Sequence, residues 1–220
     1  MNRSTSLSRS TLALAIAALC AMWAAGALAH GDADHAMQHQ PMDHASMDHA
    51  THHHVDMDVM RSTADYVVPD VRLVRDDGKP VSLRAELNDG RPVFLTFIYT
   101  TCTTICPVAS QTFSQLQDAL GSEQSKVHLV SISIDPEQDT PSRLKAYARR
   151  FGAGPQWQHY TGTTEASIAA QRAFDVYRGD KMSHNPVTLM RAAPGQPWLR
   201  IDGFVTAREL VRDYRALAAS

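Results

Sequence analysis

Pro92-Val-Phe-Leu-Thr-Phe-Ile-Tyr99 runs directly into Thr100-Thr-Cys-Thr-Thr-Ile-Cys-Pro107. The first eight residues are almost unbroken apolar, with aromatic and β-branched side chains. Such a run reads as a strand buried on both faces, the kind found in parallel sheets. Val127-His-Leu-Val-Ser-Ile-Ser-Ile134 is a second run of the same type. Between them, residues 107–120 predict a helix. Pro107 suits a first turn, Ala109, Phe113, Leu116 and Leu120 form one stripe, and Gly121 ends it.

Working outward, Val71 to Val74 and Val81 to Leu83 flank Asp77-Gly78, which reads as a β-hairpin. Thr140 is an N-cap with Pro141 at the first helical position, a Leu144/Tyr147/Phe151 stripe follows, and Gly152 closes the helix. Another helix is predicted over 164–174, with Ala166, Ala169, Ala170, Ala173 and Phe174 on one face. Val187 to Met190 and Trp198 to Ile201 read as an antiparallel pair. Thr206-Ala-Arg-Glu209 is a capping box opening a last helix that carries Leu210, Tyr214 and Leu217. The order hairpin, β, α, β, α, α, β, β, α predicts an α/β domain over residues 63–220. It is a thioredoxin-like mixed sheet flanked by helices, with an N-terminal β-hairpin.

The stretch before this domain has a different composition. Residues 30–60 hold eight of the eleven histidines, five of the nine methionines and six aspartates, with no Lys, Arg or Glu. So few aliphatic side chains cannot offset the entropy of ordering, and residues 30–62 read as a disordered tail. Met37-Gln-His39, Met42-Asp-His44 and Met47-Asp-His49 repeat every five residues. In an extended chain, residues two apart point the same way, so each unit offers a thioether and an imidazole to one ion. Thioether favours Cu(I), and imidazole suits Cu(II), Zn and Ni. The tail ligand candidates are His30, His35, Met37, His39, Met42, His44, Met47, His49, His52, His53 and His54; a solvated linker is the plain alternative.

Residues 1–29 read as a targeting segment. Arg3 and Arg9 precede the uncharged stretch 10–29, which ends in Ala27-Leu28-Ala29, a small-x-small cleavage site. As a secretory signal it exports the chain to the periplasm, and cleavage there makes His30 the N-terminus, where the free amine and ring Nδ1 can close a chelate on Cu(II). If it is not cleaved, residues 10–29 are an inner-membrane anchor. Export places the remaining cysteines where disulfides persist.

The 220 residues are 44% hydrophobic, enough for one domain with a real core, and the net charge of −2 excludes a strongly basic nucleic-acid binder. Three cysteines exclude a disulfide-dense scaffold, and there is no Cys-x-x-Cys-His string for haem attachment.

The chemistry concentrates at Cys102 and Cys106. They lie between a buried strand and a helix start, at the sheet edge where parallel sheets carry ligands. A helix N-terminus favours the thiolate, and a spacing of four leaves both sulfurs on one face. Two thiolates suit Cu(I) or Zn; a redox pair or a structural disulfide are the other readings, although a link across so short a loop stabilises little. Asp135 follows the second strand at the same edge, and either orients a ligand or organises the 135–139 turn. His128 reads as a structural strand residue, His159 as a strand-end residue without a role, and Met182 and Met190 as packing residues.

Three separated motifs, TTCTTICPV, VSISIDPEQDTPSRLKAYA and MSHNPVTLM, resemble the Sco/SenC copper-assembly family. The resemblance covers residues 63–220. It implies a thioredoxin-like fold and copper bound by Cys102, Cys106 and the distant His184. It further implies delivery of copper to the dinuclear CuA site of cytochrome c oxidase, with an oxidase subunit as recipient and a thiol reductant keeping the pair reduced. Thr103 stands where the family often has Pro after the first Cys, and Ser183 where it often has Asp before the His. The leading reading is thus a copper metallochaperone rather than an enzyme. The alternatives are a thiol–disulfide oxidoreductase using the same Cys pair, and a copper-sequestering protein led by the tail.

Overall fold

The computed structural model describes residues 59–219. The targeting segment 1–29 and every tail candidate from His30 to His54 lie outside the described residues. Eight strands, β1 (Met60–Ala64), β2 (Arg72–Arg75), β3 (Pro80–Ser82), β4 (Val93–Ile98), β5 (His128–Ser133), β6 (Trp157–Gly162), β7 (Val187–Arg191) and β8 (Trp198–Asp202), form one sheet. Its order is β1-β8-β7-β4-β5-β6-β2-β3. Five α-helices flank it: α1 (Leu83–Leu87), α2 (Ile105–Leu120), α3 (Pro141–Arg150), α4 (Thr164–Ala173) and α5 (Ala207–Ala218). Among the described residues no helix is long and apolar enough to cross a membrane.

The two apolar runs are the centre of the sheet. β4 and β5 pair in parallel, Val93 with His128 through Ile98 with Ser133, and every residue of both is buried. Their side chains alternate between two cores. Leu95, Phe97, Val130 and Ile132 pack with Phe174 and Trp198 on one face. Phe94 and Leu129 pack with Phe113 and Leu116 of α2 and Leu210 of α5 on the other. Burying one such side chain stabilises the fold by roughly 1.5–3 kcal/mol, and truncating Leu95 to Ala costs about 2–5 kcal/mol because a cavity is left behind. The hairpin forms as predicted, β2 against β3 with Gly78 at φ 85° in its turn. The Thr140 cap, the Thr206/Glu209 capping box and the antiparallel β7/β8 pair are also in place.

Four expectations need correction. A further strand, β6, lies between α3 and α4 and runs parallel to β5. Its Gln158, His159 and Thr161 hide it from an apolar count, and His159 sits mid-strand rather than at a strand end. The boundary set after residue 62 falls too late, because Met60–Ala64 is an edge strand pairing with β8. Its side chains are mostly exposed, so backbone hydrogen bonds and the Arg61 ion pairs to α5 hold it and no hydrophobic period marks it. α2 begins at Ile105, not Pro107, taking Cys106 into its first turn. Leu83 does not end a strand but opens the short helix α1, capped by Ser82.

Candidate metal centre

Because β4 and β5 end in register, the segments that follow them leave at one edge. Asp139, fully buried, joins the two. Its carboxylate accepts the Thr100 N–H at 3.1 Å, the Thr100 hydroxyl at 2.5 Å and the Ser133 hydroxyl at 2.6 Å. A buried carboxylate held by three donors needs no cation. It clamps the start of the cysteine loop to the end of β5.

Beyond the clamp, the Cys102 N–H donates to the Tyr99 carbonyl at 3.2 Å. Thr104 occupies the N-cap position of α2, but its side chain makes no capping bond. The cap is supplied by sulfur, since Cys102 Sγ accepts the Cys106 N–H at 3.4 Å. Burial pushes the Cys102 thiol up. The Cys106 and Thr104 N–H groups, the Cys106 thiol and the Tyr99 hydroxyl outweigh that and bring it down to about 7. Burial pushes the Cys106 thiol far up, and its hydrogen bond to Cys102 and the charges of Cys102 and Asp139 add to this. Both cysteines are free thiols, 6% and 2% exposed. The result is an asymmetric dithiol, with one sulfur ionised near neutrality and its neighbour protonated.

His184 is brought to the same edge by the short 3-10 turn Lys181–Ser183 ahead of β7. The Asp180 carboxylate caps that turn, taking the Met182 N–H at 2.9 Å. Lys181 Nζ reaches the Asp135 carboxylate at 2.6 Å. The Asp135 carbonyl accepts from Gln138 and Asp139 N–H groups. Asp135 therefore organises its own turn and pins the His184 segment through Lys181, without touching the imidazole. His184 is 8% exposed, and its Nε2 lies 3.1 Å from the Phe97 carbonyl. A carbonyl can only accept, so Nε2 carries the proton and Nδ1 keeps the lone pair. Burial lowers the imidazole below its usual range, which keeps it neutral.

The sulfurs and the imidazole are not gathered into one cluster. Among the described residues, no three His, Cys, Asp or Glu side chains stand close enough together to hold a metal ion. The dithiol is assembled. His184 faces the Phe97 carbonyl and a groove of about 400 Å³ that Asp135, Asp180 and Lys181 also line.

The two other described histidines lie elsewhere. His128 is fully buried at the start of β5, at the far end of the sheet, between the Glu86 carbonyl, Gln158 and Tyr160 at 3.2 Å each, which is the structural role read from sequence. His159 is fully buried with neither ring nitrogen hydrogen-bonded, and burial drops it to about 3. Met190 packs in the α2/α5 core, whereas Met182 is 74% exposed, so the packing reading fails there. Tyr99, Asp139 and Lys181 were missed by reading the sequence. A polar tip ending an apolar run marks Tyr99, and a carboxylate directly before the Thr140 N-cap marks Asp139, but only the fold gives them partners.

The family model described as SCO1/SenC matches residues 59–219, the whole of the described domain. The chain belongs to the SCO1/SenC family. The SCO1 protein homolog of Bacillus subtilis is 34% identical over 110 residues, half of this chain and 56% of its own length. The chain spans about half or less of the length of the curated relatives it matches. Among solved structures, BsSco, a member of the Sco family of cytochrome c oxidase assembly proteins in which a disulfide switch was identified, is 25% identical. It aligns with a TM-score of 0.61 over 73% of this chain and 98% of its own. Arabidopsis thaliana ScoI, solved with copper bound, is 26% identical, with a TM-score of 0.56 over 67% and 94%. The SCO1/SenC fold accounts for the thioredoxin-like sheet and its flanking helices.

Proposed function

We propose that the chain is a periplasmic copper carrier that holds the ion through Cys102, Cys106 and His184 and passes it to a copper-receiving protein, a cytochrome c oxidase subunit in the first instance. The observation that carries this reading is the asymmetric dithiol at the same sheet edge as a buried neutral imidazole. Two soft sulfurs suit Cu(I), and an imidazole adds the donor that Cu(II) prefers. An Nε2–H held by a backbone carbonyl is the usual support of a metal-binding histidine and leaves Nδ1 as the ligating atom. Loading requires the His184 segment and the dithiol to close on the ion, since they are not yet one cluster. Two relatives support the reading by what they are: Arabidopsis ScoI carries copper, and BsSco belongs to a family of oxidase assembly proteins.

Copper enters only the reduced pair, because thiolates and not a disulfide are the ligands, so a thiol reductant is a second partner. Anaerobic titration of oxidised and reduced protein against a Cu(I) chelator tests this. The ultraviolet thiolate–Cu(I) band should appear in the reduced form alone, and equal bands in both would defeat the proposal. His184→Ala should keep the disulfide but lose visible thiolate–Cu(II) absorption and weaken Cu(II) about 10–100-fold, the scale of a disturbed metal site. Unchanged absorption would remove His184 from the ligand set.

The thiol asymmetry also favours thiol–disulfide exchange as a second reading. Cys102 would attack as thiolate and Cys106 would resolve the mixed disulfide. The two readings use one site and separate at His184, which exchange does not need.

A further inference from the structure

Met182 is one of four large apolar residues left exposed in the described domain, at 74%. An unburied thioether adds nothing to the core, yet this one is held in a defined place. Asp180 fixes its backbone N–H, and the Tyr99 hydroxyl lies 3.7 Å from its Sδ. The same side chain packs in one buried cluster with Cys102 and Cys106. One tyrosine therefore meets an exposed thioether with its hydroxyl while its ring packs with the buried thiols. Met182-Ser-His184 also has the Met-x-His spacing of Met37-Gln-His39, Met42-Asp-His44 and Met47-Asp-His49.

We propose that Met182 is the sulfur that first receives Cu(I) at the mouth of the dithiol, across the Tyr99 side chain from Cys102 and Cys106. This rests on the copper reading above and adds a ligand to it. A thioether is soft and carries no proton, so it binds Cu(I) without waiting for a thiol to ionise. Copper leaves its donor and binds Met182 Sδ together with the Cys102 thiolate. Cys106 then loses its proton to water, and its thiolate displaces the thioether. The ion stays Cu(I) throughout, and Met182 is released unchanged. Three rotatable side-chain bonds let the sulfur follow the ion inward.

The test is anaerobic stopped-flow mixing of the full, reduced chain with a Cu(I)–bicinchoninate complex. The signal is the ultraviolet thiolate–Cu(I) band, to which tail thioethers and imidazoles do not contribute. Met182→Leu keeps the volume and loses the lone pairs; it should slow the rise of the band about tenfold while changing the final amplitude little. Met182→His restores a donor and should recover most of the rate. Equal rates for wild type and Met182→Leu would overturn the role of Met182 and leave the dithiol intact as carrier. Equal slowing in both variants would reduce Met182 to a packing residue on Tyr99 and overturn it too. No band in the wild type would remove the copper reading itself, and this role with it.

Discussion

Cys102 and Cys106 differ only by their surroundings, and the difference is measurable. Iodoacetamide labelling of the reduced, metal-free chain, read by mass spectrometry, should titrate Cys102 at about pH 7 and leave Cys106 unlabelled through pH 9. Indistinguishable profiles would contradict the capping role of the Cys102 sulfur. The same shifts set the sign of a stability effect. Cys102 ionises more easily folded than unfolded, where a thiol titrates at about 8.5. Its contribution is complete above that pH and is lost as pH falls through about 7. Cys106 acts oppositely: protonated in the fold, it loses its stabilising effect as pH rises beyond 8.5, the approximate value for an unfolded thiol. The melting temperature of wild type relative to Cys102→Ser should therefore climb from pH 7 to pH 8.5, roughly the span between the folded and unfolded thiol. A flat difference would be incompatible with a depressed Cys102.

At the scale of elements, the site depends on two strand ends that lie 35 positions apart in sequence, Ile98 and Ser133, and on the carboxylate that ties them. Asp139→Asn replaces an acceptor with an amide whose NH2 cannot accept, so one buried donor loses its partner. The cost should be about 1–3 kcal/mol in urea unfolding. Removing the charge should also let Cys106 ionise at lower pH, since Asp139 is among the groups raising it. An unmoved urea midpoint would mean that the loop is held by other bonds. This clamp shows where sequence reading stops. β4, β5, α3 and α5 were legible because each carries its own signal: an apolar run, a cap or a stripe. The cysteines were legible because a strand, a loop and a helix meet at them. Asp139, Tyr99 and Lys181 were not, because their partners come from other elements and only the sheet brings them together. β6 was hidden by polar side chains that the fold buries, and β1 by side chains that the fold leaves in water.

For the whole molecule, the β1 edge of the sheet governs whether β8 is left open to pairing. β1 covers β8, and Arg61 ties it to α5 through Glu209 at 3.3 Å and Asp213 at 2.8 Å. A chain starting at residue 59 keeps β1 and every described element of the sheet, and should melt within a degree or so of one that retains residues 30–58, a difference of about 0.5 kcal/mol or less. A chain starting at residue 66 bares the backbone of β8. It should lose about 1–2 kcal/mol, a few degrees for a domain of this size, and should self-associate in analytical ultracentrifugation. A monomer of unchanged melting temperature would show that β1 is dispensable.

The direction of β1 sets a geometric leash. It runs antiparallel to β8, and β8 runs the same way as β4, so Met60, Asp202, Val187 and Phe97 fall in one row across the sheet. The chain enters the domain at the end that carries the thiols, three strand spacings from β4, or about 14 Å. His54 is six residues upstream of Met60, and six residues cannot span more than about 20 Å. The backbone therefore cannot carry the His54 imidazole further than that from the start of β1, at the sheet end that holds Cys102 and Cys106. A tether this short corresponds to a local concentration in the millimolar range, whatever the concentration of the protein outside.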